Sequence, residues 1–173
     1  MLIEVADLRR QTGNEKEFTG KIARIEIELQ GALAVLSEVA VKGLAKNVGG
    51  KIYIKGNVVA DANLNCSRCL EPFVIPVESS FEDAYFAQRT VDYRDLEETG
   101  RIYKGDQIDL EDVIIESLIL TLPMKAICHQ DCKGLCPSCG CNLNTGHCSC
   151  GPQTIDPRLT ILEEYNKHIK TRE

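Results

Sequence analysis

Cysteine is the residue type in this sequence with the clearest capacity for chemistry, and the chain holds nine of them. Seven fall within residues 128–150, and the other two form the motif Cys66-Ser-Arg-Cys69. A second motif of this kind is Cys136-Pro-Ser-Cys139. Two cysteines three residues apart can direct both sulfur atoms at one ion, and two such pairs supply the four ligands of a closed tetrahedral site. The spacing therefore predicts zinc bound by thiolates.

The nine cysteines divide into two sets of four with one left over, Cys141. The preferred sets are Cys136, Cys139, Cys148 and Cys150 in one site and Cys66, Cys69, Cys128 and Cys132 in the other. Gly140, directly after Cys139, favours the positive-φ turn that wraps backbone around a metal–thiolate centre. The spacing leaves an exchanged pairing open, in which Cys66 and Cys69 meet Cys136 and Cys139.

Several other interpretations of these motifs compete with two zinc sites. His129 and His147 stand beside cysteines and could each replace a thiolate, although a bystander role is the stronger expectation. A redox disulfide at Cys66 and Cys69 is less favoured because strands flank the pair, whereas the thioredoxin pattern needs a helix start. A reduced pair with no ligand role is a further alternative. The spacing does not match the ferredoxin cysteine runs, so zinc is preferred to an iron–sulfur cluster.

Alternating apolar and polar residues predict the elements that position these cysteines. The runs around Ile25–Leu29, Val39–Val41, Ile52–Ile54, Val58–Leu64 and Phe73–Phe81 have the period of two that is typical of strands. Cys66 and Cys69 fall between two such runs, at a hairpin tip. The expected fold class is α+β, with a mainly antiparallel, curled or barrel-like sheet, one or two helices and a C-terminal cysteine-rich segment.

We divide the chain into a sheet-rich body, residues 1–125, and a cysteine-rich segment with a C-terminal helix, residues 126–173. The body includes an acidic loop at 92–107 and a helix at about 109–121, capped by Asp109 and ended by Pro123. The expected apolar face of this helix consists of Leu110, Val113, Ile114, Leu118 and Ile119. A last helix is expected to begin at Asp156-Pro157.

Composition limits the classes of function. The net charge is −6, and no metalloprotease, phosphate-loop, dinucleotide or nucleophile-elbow motif occurs, so we expect no enzymatic activity and no small-molecule substrate. The first residues lack an apolar segment of signal-peptide length, which predicts a cytoplasmic location, where thiols stay reduced. The apolar stretch Val113–Leu122 is too short to cross a bilayer, so we expect no membrane partner.

Several segments together resemble the YceD family. They are Cys66-Ser-Arg-Cys69-Leu-Glu-Pro-Phe73, Cys128 through Cys132-Lys-Gly-Leu-Cys136-Pro-Ser-Cys139-Gly, Asn142-Leu-Asn144, Cys148-Ser-Cys150 and Asp156-Pro-Arg-Leu159. The resemblance covers nearly the whole chain in order, with Cys141 as a departure. It implies a role in 23S ribosomal RNA accumulation or processing and in large-subunit assembly, with that RNA or a pre-large-subunit particle as partner.

Two mechanisms are compatible with that role. In the first, RNA phosphates are contacted by basic residues gathered on one edge of the sheet: Lys42, Lys46, Lys51, Lys55 and Arg68. In the second, the chain is an adaptor whose acidic residues hold a basic ribosomal protein or processing factor: Asp92, Asp95, Glu97 and Glu98. The charge distribution favours the adaptor slightly. A zinc-dependent redox chaperone is a third, weaker hypothesis.

Overall fold

Long alternating segments form long strands in the computed structural model, which describes residues 1–29, 32–88 and 100–151. In chain order the elements are β1 (Leu2–Glu4), α1 (Ala6–Arg10), β2 (Glu15–Leu29), β3 (Ala32–Val48), β4 (Lys51–Asn65), β5 (Pro72–Ala87), β6 (Arg101–Tyr103), β7 (Gln107–Asp109) and α2 (Glu111–Thr121). β3 and β4 are joined by a two-residue turn, Gly49-Gly50, with φ of 63° and 90°. Positive φ at both positions suits a tight hairpin turn, and glycine adopts it without steric cost.

The main sheet has five strands in the order β2-β3-β4-β5-β6, and β1 pairs with β7 in a separate two-stranded sheet. All neighbours are antiparallel except β5 and β6, which are parallel. A bulge between Ser37 and Ala40, with Glu38 at φ 51°, interrupts the β3 register and bends the strand. The α+β class and the mainly antiparallel sheet are confirmed, whereas the barrel alternative is wrong because the described strands form an open order.

One face of the main sheet, which we call the inner face, holds the core of this part of the chain. Along β4 every second residue from Ile52 to Leu64 faces inward, and all are buried except Gly56, which is half-buried. Helix α2 packs on this face, where the Ser79 hydroxyl on β5 donates to the carbonyl of Ser117 at 2.9 Å. The opposite face, which we call the outer face, carries the exposed residues of the same strands.

Helix α2 begins two residues later than the sequence indicates. Asp109 is the last residue of β7, and its carboxylate accepts the Glu111 backbone N–H at 3.0 Å, so it satisfies one free donor of the first turn. The helix ends at Thr121, before an extended Leu122 and Pro123. Ile119 is 37% exposed, which corrects the expected apolar face: Ser117 faces the sheet instead.

The acidic loop expected at 92–107 is only partly a loop. Arg101–Tyr103 forms β6 against the end of β5, and Gln107 pairs with Glu4 of β1. Three-residue strands are too short to leave a period of two in the sequence, so the pattern gave no sign of them. Asp92, Asp95, Glu97 and Glu98 lie outside the described residues, as does the expected C-terminal helix from Asp156.

The chain separates into two units, Met1–Cys132 and Lys133–Glu173. The first contains both sheets and both described helices. The described part of the second is built on turns and an isolated bridge between Leu135 and Asn142. Within the described residues, neither helix has the length and apolar character needed to cross a membrane.

Candidate functional site

Four cysteines of the first unit converge at the tip of the β4–β5 hairpin. This group, the Cys66 tetrad, consists of Cys66, Cys69, Cys128 and Cys132. The Sγ atoms of Cys66 and Cys132 are 3.8 Å apart, as are those of Cys69 and Cys128. All four sulfur atoms lie within 4.8 Å of one another. Cys66, Cys69 and Cys132 are buried.

The hairpin tip owes its shape to two backbone hydrogen bonds that enclose the Cys-x-x-Cys motif. The N–H of Cys66 donates to the carbonyl of Glu71 at 2.9 Å, and the N–H of Leu70 donates to the carbonyl of Cys66 at 2.8 Å. Leu70 adopts a left-handed φ of 63° to close this turn. The N–H of Ser67 donates to the carbonyl of Ala126 at 2.8 Å, which brings the segment before Cys128 to the hairpin.

The electrostatics of this tetrad favour a thiolate at Cys66. Burial by itself raises the pKa of Cys66, but backbone N–H groups of Cys128, Cys69 and Arg68 donate to its sulfur and lower the pKa to about 6. Burial and the neighbouring thiols instead raise the pKa of Cys128 to about 12. Without a cation the four sulfur atoms cannot all carry charge at neutral pH, and a metal ion removes that obstacle.

A second group of four lies in the second unit. This Cys136 tetrad consists of Cys136, Cys139, Cys148 and Cys150. The Sγ of Cys148 is 3.3 Å from that of Cys136 and 3.5 Å from that of Cys139. Cys139 and Cys150 are exposed, whereas in the Cys66 tetrad three cysteines are buried and Cys128 is half-buried. The N–H groups of Cys139 and Ser138 lower the pKa of Cys136 to about 6.

The turn that forms the Cys136 tetrad repeats the pattern of the hairpin tip. The N–H of Cys136 donates to the carbonyl of Cys141, and the N–H of Gly140 donates to the carbonyl of Cys136, both at 2.8 Å. Gly140 has a left-handed φ of 72°, as expected from its place after Cys139. Asn142 braces the loop that follows, because its side-chain oxygen accepts the backbone N–H of Asn144 at 3.0 Å.

The two groups are those of the preferred partition and not those of the exchanged pairing. Four sulfur atoms around an ion at a Zn–S distance of about 2.3 Å form a tetrahedron with edges of about 3.8 Å. The shortest S···S distances, 3.3–3.8 Å, lie at or just below that edge length, and all four sulfur atoms of each group lie within 4.8 Å of one another. Both tetrads could therefore hold a metal ion. Cys141 belongs to neither group.

The two histidines beside the tetrads take different positions. The Nδ1 atom of His129 lies 3.0 Å from the Sγ of Cys128, so this ring contacts a tetrad sulfur without joining the group of four. His147 is exposed and lies outside the Cys136 tetrad. Among the described residues, four-sulfur groups form without either imidazole.

The basic residues expected at a sheet edge lie elsewhere. Lys42 and Lys46 are on β3, Lys51 and Lys55 are on β4, and Arg68 follows β4 in the hairpin turn. Strands β3 and β4 are interior strands of the sheet, so the expected edge position is wrong. The strand order, which the sequence pattern does not reveal, puts these lysines on the central strands.

Three of the five cations are already engaged. Lys46 forms an ion pair with Glu15, and this contact, with a smaller effect of Lys55, lowers the pKa of Glu15. The Lys51 ammonium lies 4.8 Å from the centre of the Phe86 ring, a cation–π distance.

Arg68 is engaged at the Cys66 tetrad. Its Nη1 donates to the carbonyl of Gln130 at 3.2 Å and to that of Cys132 at 3.0 Å. The guanidinium therefore holds the second cysteine-bearing segment against the hairpin tip, and it is a positioning group for the tetrad.

Lys42 and Lys55 differ from these three. Both are exposed on the outer face, and within the described part of the chain neither ammonium has an ion-pair or hydrogen-bond partner. They stand on either side of the paired residues Gly43 and Gly56, along a groove of about 740 Å³. The groove also exposes polar residues that sequence reasoning missed, because only the register of four strands brings them together: Thr19, Asn57 and Ser80.

Fold and site together define a β-sheet protein with two four-cysteine groups that could hold metal ions. Residues 54–164 match the family described as large ribosomal RNA subunit accumulation protein YceD. The chain belongs to the YceD family.

The relatives support this assignment. An uncharacterized protein of Mycobacterium tuberculosis is 34% identical over 175 residues, covering 95% of this chain and 80% of that protein. Two chloroplastic proteins named large ribosomal RNA subunit accumulation protein YCED homolog 1 also match. The one from Zea mays is 27% identical over 61% of this chain and 46% of its own length, and the one from Arabidopsis thaliana is 26% identical over 71% and 47%. No solved structure matches the chain.

Proposed function

We propose that this chain is a non-enzymatic factor that supports the accumulation of 23S ribosomal RNA, acting in large-subunit assembly by direct contact between Lys42 and Lys55 and RNA phosphates. The family description and the names of the plant proteins support the RNA role. Phosphate contacts by lysine supply the sequence-independent part of the affinity for nucleic acid.

The proposal rests on the observation that the ammonium groups of Lys42 and Lys55 have no ion-pair partner among the described residues. Lys42 and Lys55 share the outer face on neighbouring strands, and no carboxylate of the described residues lies within ion-pair distance of either. A lysine already in an ion pair must give up its partner before it meets a phosphate. For that reason we assign the phosphate contacts to these two residues and not to Lys46, Lys51 or Arg68.

We further infer that the metal is zinc and that its role is structural, with one ion in each tetrad. Four thiolates from paired motifs are the ligand set of closed structural zinc sites. Such a set leaves no open position for water, which a catalytic zinc requires. The donor set therefore supports holding the hairpin tip and the segment 128–132 together, and ordering residues 136–150.

The direct contact is tested by filter binding of transcribed 23S ribosomal RNA fragments over a series of salt concentrations. We expect Lys42→Ala with Lys55→Ala to weaken binding and to reduce the salt slope by about 1.4, because each single-strand phosphate contact contributes about 0.7. Lys104→Ala with Lys125→Ala is the matched control, since it removes the same charge from two other exposed lysines of the first unit. The control should keep the slope of the unmodified chain.

Two results would overturn the direct contact. Equal slopes for both double variants mean that Lys42 and Lys55 make no specific phosphate contact. No affinity of the unmodified chain for RNA at low salt, together with capture of a basic ribosomal protein, favours the adaptor. The adaptor's acidic residues, the division at residue 125 and the cytoplasmic location remain predictions.

A further inference from the structure

A row of two phenylalanines and two glycines crosses four strands of the sheet. Phe18, Gly43, Gly56 and Phe81 are successive partners on β2, β3, β4 and β5. A Cβ atom on Gly56 would lie 2.6 Å from Cζ of Phe81 and 2.8 Å from the carbonyl oxygen of Lys42. The phenylalanine rings and the neighbouring strand fill the space on the inner face that side chains would need. On the outer face this row is bare backbone.

Two rows of side chains border this bare strip, and we call them the first and second banks. The first bank consists of Thr19, Lys42, Asn57 and Ser80, and the second of Glu17, Leu44, Lys55 and Glu82. The backbone strip is the floor of the groove of about 740 Å³. Residues two apart along a strand are about 7 Å apart, which sets the spacing of the banks.

The banks differ in chemistry. The first has a lysine, two hydroxyls and an amide and no carboxylate, and these are residue types that contact phosphate and sugar. The second has carboxylates at both ends, Glu17 and Glu82, with Lys55 between them. Carboxylates repel phosphate, but they accept hydrogen bonds from base amino groups. The groove therefore has one side suited to a phosphate backbone and one suited to base edges.

Tyr53 lies beyond the second bank on the same face of β4. It is 38% exposed, and among the described residues it is the single exposed aromatic side chain. It is two residues from Lys55 along the strand, and it lines a second recess together with Lys46, Lys55 and the carboxylates of Glu15 and Glu82. An exposed aromatic ring beside lysines is the arrangement on which unpaired bases stack.

We propose that this groove binds single-stranded RNA, with the phosphates over the bare strip between Lys42 and Lys55 and the bases turned toward Tyr53 and the carboxylates of the second bank. This inference rests on the proposed function, since it specifies the form of RNA that Lys42 and Lys55 meet. A duplex keeps its bases stacked inside and presents phosphates outward, so it would bring phosphates against Glu17 and Glu82. The groove thus discriminates against double-stranded RNA.

Fluorescence anisotropy of the full chain at low salt tests the inference. The probe is a short labelled oligoribonucleotide without self-complementarity, used alone or annealed to its complement. We expect the single strand to bind more tightly than the duplex. Asn57→Asp puts a charge on the first bank and should weaken single-strand binding about tenfold. Its control is Asn63→Asp, the same change on the same strand and face, six residues and about 20 Å away.

The stacking contact has its own pair of variants. Tyr53→Ala should weaken single-strand binding roughly fivefold or more, whereas Tyr53→Phe keeps the ring and should keep the affinity. Thermal unfolding checks that these exposed substitutions leave the fold unchanged.

The outcomes separate this inference from the proposed function. Equal affinity for the single strand and the duplex would contradict binding of single-stranded RNA in the groove. So would unchanged affinity in Asn57→Asp and Tyr53→Ala, if Lys42→Ala with Lys55→Ala still weakens binding. Either result leaves the direct phosphate contact of the proposed function intact. No binding of any RNA by the unmodified chain overturns both.

Discussion

Leu70 and Gly140 occupy the same position in two copies of one turn. Each is the fourth residue after the first cysteine of its motif, and each donates its N–H to that cysteine's carbonyl at 2.8 Å. Their φ angles are 63° and 72°. Glycine adopts this left-handed conformation freely, whereas leucine is strained by its Cβ.

The first prediction exploits this pair. Leu70 is 64% exposed, so Leu70→Gly loses little buried area and relieves the left-handed strain. We expect the free energy of unfolding of the first unit to rise by up to about 1 kcal/mol, after the greater flexibility of glycine in the unfolded chain is subtracted. Urea unfolding measures the change, and a loss of stability would show that the leucine side chain makes a needed contact.

The matched control adds a side chain at the equivalent glycine of the other turn, Gly140→Ala. A Cβ at Gly140 meets no atom within 4 Å, so Gly140→Ala carries only the backbone cost. We expect it to destabilise the turn by about 1 kcal/mol and to weaken metal affinity at the Cys136 tetrad several-fold. Unchanged affinity in a chelator competition would mean that the turn tolerates a side chain.

A second prediction concerns two buried hydroxyls. The Oη atoms of Tyr85 and Tyr103 are buried and have no hydrogen-bond partner among residues 1–29, 32–88 and 100–151, and an unpaired buried hydroxyl costs about 1–3 kcal/mol. Tyr85→Phe and Tyr103→Phe should therefore leave the free energy of unfolding unchanged or raise it. A fall of more than about 1 kcal/mol in either variant would reveal a partner for the hydroxyl, such as an ordered water molecule.

The same tyrosines predict a dependence on alkaline pH. Burial, and then the charge of Asp83, raises the pKa of Tyr85 above its ordinary value, and burial raises that of Tyr103. Because burial disfavours the ionised phenols, their titration leaves the free energy of unfolding unchanged below about pH 10, the unfolded pKa, and lowers it as pH rises toward the folded values. Urea unfolding at increasing pH should show this loss, and the double phenylalanine variant should lose less stability over the same range.

A third prediction follows from the difference in exposure between the tetrads. Peroxide and chelators reach exposed sulfur atoms first, and Cys139 and Cys150 are exposed whereas Cys66 and Cys132 are buried. Zinc should therefore leave the chain in two phases, the faster one from the Cys136 tetrad. A colorimetric zinc indicator measures the release.

Cysteine variants assign the two phases. Cys136→Ser should remove the fast phase and Cys66→Ser the slow one. Release in a single phase, or loss of the slow phase in Cys136→Ser, would contradict the assignment.

A fourth prediction tests the floor of the groove. Gly56→Ala forces a Cβ against Phe81 and the Lys42 carbonyl oxygen, and we expect a loss of about 1–3 kcal/mol from overpacking. Asn57→Ala, at the exposed neighbouring position on the same strand, serves as control. It deletes only solvent-exposed side-chain atoms and should change the free energy of unfolding by less than about 0.5 kcal/mol. Equal stability of the two variants would mean that the strands separate at this row without cost.

Structural features that follow from a repeating residue pattern could be predicted from the sequence, whereas those that depend on the register between strands could not. Alternation over Val58–Leu64 indicates a strand with one buried face whatever its neighbours are, and Pro123 ends α2 through its own geometry. The three-residue strand β6 has no such repeat.

The candidate site divides in the same way. Spacing alone shows that Cys136 and Cys139 can point at one ion, and counting the cysteines in fours already favoured Cys66 with Cys132. The choice of that set over the exchanged pairing depends on the β4–β5 hairpin and on the hydrogen bond from Ser67 to Ala126. Likewise the pairing of Gly43 with Gly56, which puts Lys42 and Lys55 on opposite banks, follows from strand register, and strand register depends on contacts between distant residues.

The most direct test of the account is the amount of 23S ribosomal RNA relative to 16S in cells that lack the native copy of this chain and express a variant. We expect Lys42→Glu with Lys55→Glu to fail to restore the ratio and Lys104→Glu with Lys125→Glu, at equal protein level, to restore it. Full restoration by Lys42→Glu with Lys55→Glu would contradict direct contact with RNA through this face.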